Sequence, residues 1–208
     1  MPKLLHLVAS PRTDSESGAG ARVFLDRFRQ ARPGWDVDEM HLWRESLPEF
    51  DGEILQAKYA RMGGRAFTVS QREAFAIAER MAVRLDLAER VVISTPMWNF
   101  GIPYKLKHWL DIINQPGLTF RFDPARGYLP LLKDRPTLVI LASGGDFTTG
   151  MSRGRSDLAT PYLREALRFM GLRDVRFVAL GPTSGPSEHT GAARDRAHRQ
   201  LVELASRF

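Results

Sequence analysis

The chain has 208 residues, 43% hydrophobic and 26% charged, which suits one α/β domain and excludes a disordered polymer. It contains no cysteine, so disulfides, thiolate nucleophiles, cysteine–zinc sites and iron–sulfur clusters are excluded together. The net charge of +6 comes mostly from arginines scattered among acids, without the aromatic-interleaved stripe of a nucleic-acid binder. No nucleic-acid partner is expected, and the diffuse positive field favours anionic ligands.

Met1 to Ser10 is apolar but too short for a signal-peptide core, and apolar runs such as Leu138–Ala142 are strand-sized. A soluble, cytoplasmic protein without a membrane partner is therefore expected. Leu4–Ala9 reads as a first, fully buried strand. Ala21, Phe24, Leu25 and Phe28 follow at the spacing of one buried helix face. Val37–Leu42 alternates as a weaker edge strand. Trp43 to Val69 is irregular and reads as a functional or partner-facing loop. Ser70-Gln71-Arg72-Glu73 spells a capping box, opening a helix with Ala74, Ile77, Ala78, Met81, Ala82 and Leu85 on one side. Val91–Thr95 is a third strand, and Pro103 starts a helix with Leu106, Trp109, Leu110 and Ile113 inward. Gly117–Asp134 is a second irregular stretch and Thr137–Leu141 a fourth strand. Asp157–Met170 is a helix stopped by Gly171. Val175–Leu180 is the fifth strand and Ser187–Arg207 the last helix. No linker or repeat divides the chain, so residues 1–208 form one domain.

This alternation predicts a doubly wound parallel sheet with helices on both faces. Such sheets bind ligands beyond the carboxyl ends of their strands. The loop after the first strand, Ser10 to Gly20, opens a helix and offers the hydroxyls of Ser10, Thr13, Ser15 and Ser17, as a monophosphate requires. A plain helix cap by Ser15 or Ser17 is the simpler alternative. The loop fits neither G-x-G-x-x-G nor a Walker A. After the third strand, Met97, Trp98, Asn99 and Phe100 crowd two aromatics and an amide into a proline-bracketed turn. That mixture suits a flat heteroaromatic ring, although Trp98 and Phe100 could instead plug the core. After the fourth strand, Ala142, Ser143, Gly144 and Gly145 allow close backbone approach, or simply a tight turn. His41, His108 and His198 sit on elements and are read as surface or packing residues.

With Pro96-Met97-Trp98-Asn99-Phe100, Leu106-Lys107, Gly117-Leu118-Thr119-Phe120, Ser143-Gly144-Gly145 and Thr160-Pro161-Tyr162-Leu163, the chain resembles the FMN-dependent NADH-azoreductases and quinone reductases. The resemblance implies a flavodoxin-like five-stranded parallel sheet of order 2-1-3-4-5 and a homodimer with FMN near the interface. It implies an NADH or NADPH donor and a quinone or azo acceptor, reduced by two electrons through the flavin. Ser10, Ser15, Glu16 and Ser17 would then hold the phosphate, and Met97, Trp98, Asn99 and Phe100 would line the isoalloxazine. Ala142 to Gly145 would meet its pyrimidine side, and Phe120 would shape the substrate slot. Glu16 stands where the family often has an uncharged residue, so its carboxylate must point away from the phosphate. Ala142 replaces a hydroxyl common in relatives, leaving only backbone contacts there. A flavodoxin-type electron carrier is the alternative, against which the basic charge and the bulky Met-Trp-Asn-Phe turn both speak.

Overall fold

The computed structural model describes all 208 residues. Five parallel strands, β1 (Lys3–Val8), β2 (Asp36–His41), β3 (Arg90–Pro96), β6 (Thr137–Ala142) and β9 (Val175–Leu180), form one sheet of order β2-β1-β3-β6-β9. This is the 2-1-3-4-5 arrangement, and β1, read from the sequence as fully buried, is buried from Leu4 to Val8. Alternate residues of each strand feed opposite layers. Leu5, Leu7 and Ala9 face α3 (Val69–Asp86), α4 (Tyr104–Ile113) and α5 (Ala159–Met170). Leu4, Val92 and Ile140 face α1 (Glu16–Ala31) and α6 (Ser187–Arg207), where Phe24, Phe28 and Phe208 close the second core.

Both stretches expected to be irregular contain regular structure. Within 43–69 lies α2 (Gly52–Met62), started by Asp51, whose carboxylate accepts from the amides of Glu53 and Ile54. Within 117–134 lies a hairpin of β4 (Phe120–Asp123) and β5 (Gly127–Pro130), turned at Gly127 with φ 77°. A second, minimal hairpin pairs β7 (Met151–Ser152) with β8 (Arg155–Ser156). The capping box of α3 is real but sits two residues earlier than Ser70: Thr68 accepts from Gln71 N–H, and Gln71 returns to the Thr68 amide. Asp157 does not enter α5; its carboxylate accepts from the amides of Ala159 and Thr160 and so starts the helix from outside.

Candidate functional site

Three loops leave the carboxyl ends of β1, β3 and β6, and the sheet order places these strands side by side. The first loop brings Ser10, Ser15 and Ser17 inward while residues 11 to 14 stay exposed. Ser15 caps α1: its hydroxyl accepts from Gly18 N–H at 3.2 Å. The cap alternative thus holds for Ser15 itself, but not for Ser17. Ser17 Oγ is fully buried and has no hydrogen-bond partner. A buried hydroxyl left unpaired costs about 1–3 kcal/mol, so Ser17 Oγ keeps an unused donor at the start of α1. The first-turn amides, which lack intrahelical partners, point the same way.

Glu16, at the start of α1, also lines the slot described below. Its carboxylate is drawn onto α6, where Arg194 Nη2 and Nε donate at 2.6 and 3.1 Å. The pair raises the Arg194 pKa, chiefly through these hydrogen bonds.

In the second loop, Met97 N–H donates to Ala142 O at 2.7 Å, which ties the β3 and β6 tips together. Trp98 and Gly101 exchange backbone hydrogen bonds at 2.9 and 3.0 Å. This tight turn forces Asn99 and Phe100 to φ 47° and 72°, a region that asparagine tolerates and phenylalanine resists. Strain of this kind persists where a site over-determines it. Trp98 and Phe100 are 37% and 45% exposed, so neither plugs the core, and the strand tips stay open.

In the third loop, Ser143 Oγ is spent on Gly145 O at 2.7 Å, and Ser184 Oγ donates to Gly144 O at 2.9 Å. Ala142 buries its methyl in the α1/α6 core and offers only backbone to the tips. Gly145 permits close packing, because a Cβ there would sit 2.5 Å from Ser152 Oγ. The three loops enclose a slot of about 150 Å³ lined by Ser10, Ser15, Ser17, Met97, Trp98 and Ala142–Gly144. A larger hollow of about 570 Å³ adjoins it across Trp98, with Asn99, Tyr104, Lys107, Leu158 and Tyr162 on its walls. Burial, and secondarily Asp111, push the Tyr162 phenol up to about 12, so it keeps its proton at neutral pH. Lys107 Nζ is held by Asp111 at 2.6 and 2.7 Å.

Phe120 stands apart from this group. It is 3% exposed, packed on Phe169 and Tyr128 with Lys58 Nζ over its ring, and lines neither opening of its own chain. The exposed rings of that hairpin are Phe122 and Tyr128. Sequence reasoning missed Trp43, whose Nε1 donates to Ala9 O at 2.9 Å and whose ring lies 5.8 Å from Trp98 and 5.2 Å from Tyr104. Its place just past β2, at the same end of the sheet, was the available signal. His108 is a packing residue, with Nε2 at 2.8 Å from Pro48 O.

Sheet order defines a flavodoxin-like protein, with a hydroxyl-lined slot at its strand tips and exposed aromatic rings beside it. The model of the flavodoxin-like fold family matches residues 2–204. An FMN-dependent NADH:quinone oxidoreductase of Bradyrhizobium diazoefficiens is 72% identical over 208 residues, covering all of both chains. One of Ruegeria pomeroyi is 41% identical over 203 residues, covering 97% of this chain and 99% of its own. The chain belongs to this oxidoreductase family. An FMN-dependent NADH-azoreductase from Bacillus anthracis, solved in complex with FMN, superimposes with a TM-score of 0.86 at 27% identity, covering 99% of this chain and 98% of its own.

Proposed function

We propose that the protein is an FMN-dependent NAD(P)H oxidoreductase that reduces quinones, azo compounds or both, and that it works as a cytoplasmic homodimer. Relatives named FMN-dependent NADH:quinone oxidoreductases, matched along nearly the whole chain, support the enzyme over the electron carrier. Bound FMN would supply the two-electron chemistry between a nicotinamide donor and a flat acceptor. The chain's own contribution is placement. Ser10, Ser15, Ser17 and the Glu16 amide hold the phosphate, while Met97 to Phe100 and the Ala142–Gly145 backbone flank the ring. The strained turn fixes Asn99 before binding, so little ordering cost remains. Tyr162, protonated at neutral pH, offers an O–H to an acceptor oxygen in the adjoining hollow. Phe120, which backs the Tyr128 and Phe169 rings, shapes the acceptor slot from the hairpin that carries it.

The partnerless buried hydroxyl of Ser17 carries this reading. The purified protein is expected to be yellow, to release FMN rather than FAD on extraction, and to consume NADH steadily with a quinone. Ser17→Ala should weaken FMN binding about tenfold, the loss of one hydrogen bond to a charged group. A colourless protein that ignores added FMN would overturn the proposal.

A further inference from the structure

A cavity of about 360 Å³ lies between α1 and the edge strand β2, outside the slot. Arg22 and Arg29 of α1 reach it, with Arg12 from the first loop and Arg44 from the segment after β2. Its carboxylates are already engaged. Asp26 and Glu39 lie 3.6 and 3.7 Å from Arg29, and Glu39 also lies 3.4 Å from His41 Nε2. Arg12 is held by Asp14 at 2.9 Å. Arg22 and Arg44 pair with no carboxylate. Two guanidiniums, each a planar fork of donors, therefore face the cavity uncompensated.

A second observation comes from the strand beneath. His6 interrupts the apolar run of β1, lines the cavity and is 4% exposed. Its Nε2 lies 2.9 Å from Ser94 Oγ, while its buried Nδ1 has no partner. Burial, then His41 and Arg29, push its pKa down to about 4, so the ring is neutral and the arginines carry the charge. Trp43 adds an aromatic wall.

We propose that this cavity is a second anion site, which takes a small phosphate monoester. Arg22 and Arg44 hold the phosphoryl group, and the organic part lies against Trp43 with a polar atom at His6 Nδ1. The volume falls in the lower range of small-molecule pockets, and two arginines without carboxylate partners in one cavity favour phosphate over a monovalent anion. The inference rests on the flavin reading in one respect: Ser10, Arg12 and Ser15 line both the cavity and the slot, so an occupant braces the cofactor's loop.

The test is thermal unfolding of the FMN-saturated protein with inorganic phosphate, adenosine monophosphate or adenosine. With FMN filling the slot, a phosphate-dependent rise reports the further site. At ten times the apparent Kd the expected rise is about 3 °C or more for a chain of this size. The double variant R22A/R44A, altered only at exposed side chains, should keep its circular dichroism and lose the shift. Tenfold tighter binding of the monophosphate identifies the ester as occupant, and equal affinities identify free phosphate; both support the site. No shift, an equal shift with adenosine, or a shift that survives in R22A/R44A overturns it. Failure of the flavin reading looks different: the protein then binds no FMN, while the response of the apo chain still depends on Arg22 and Arg44.

Discussion

Glu16 opens α1 one residue before the unpaired Ser17 hydroxyl, and only Arg194 keeps its carboxylate turned toward α6. Arg194→Ala should free that carboxylate to face the phosphate and weaken FMN binding about tenfold, the scale of one screened charge pair at close range. Adding Glu16→Gln to that variant should restore affinity, a coupling that a double-mutant cycle in an FMN titration measures. An unchanged Kd in the single variant would remove Arg194 from this role. The sequence raised the problem of Glu16 but could not supply its answer, because the partner lies 178 residues away. Short-range letters disclosed the hydroxyls and the aromatic turn. They could not say that Ser143 spends its hydroxyl on its own loop, nor that Phe120 is buried.

His6 gives a pH prediction at the same scale. Its folded pKa of about 4 lies below its ordinary 6.5, so the unfolded chain binds the extra proton between those values. The contribution is intact above pH 6.5 and is lost as pH falls through 4, up to about 3 kcal/mol from this group. The groups facing it are His41 on β2 and Arg29 on α1, both of which oppose its protonation. Urea unfolding of His6→Gln should show a shallower loss of stability between pH 6.5 and 4 than the parent. Parallel curves would mean that His6 titrates normally in the fold.

Among the elements, the strands and the helices packed on them were legible because their apolar residues repeat at period 2 or 3.6. α2 was not: only Ile54, Ala57 and Ala60 are buried on it, two of them small, so its inward face carries little hydrophobic signal. The β4–β5 hairpin escaped notice because prolines and glycines read as loop, whereas here they bound two four-residue strands. The Gly171 stop was legible, and the structure adds why it is strict. Gly171 has φ 118°, and an added Cβ would strike the Leu132 carbonyl oxygen, while Leu132 N–H donates to Met170 O. Gly171→Ala therefore meets both backbone strain and a backbone clash. It should cost about 3 kcal/mol or more in denaturant unfolding, with the cofactor slot's residues untouched. A loss below about 1 kcal/mol would show that the β5–β6 connection yields easily.

At the scale of the whole molecule, α2 buries one stripe and exposes another. Leu55, Tyr59 and Met62 follow one another at spacings of four and three and are 36%, 61% and 43% exposed. Phe122 and Tyr128 of the β4–β5 hairpin and Tyr104 at the rim of the adjoining hollow are also exposed. Single exposed apolar residues are ordinary, but a stripe along a helix that also has a buried face calls for a partner. In the proposed homodimer this stripe would be covered, and charges placed on it would have to be buried without partners. Tyr59→Glu combined with Met62→Glu should therefore turn the dimer into monomer in analytical ultracentrifugation at micromolar concentration. Neither residue lines the slot, so a monomer that still binds FMN would lose quinone turnover only if the second chain completes the acceptor site. A variant that stays dimeric would place the interface elsewhere on the surface and leave the α2 stripe unexplained.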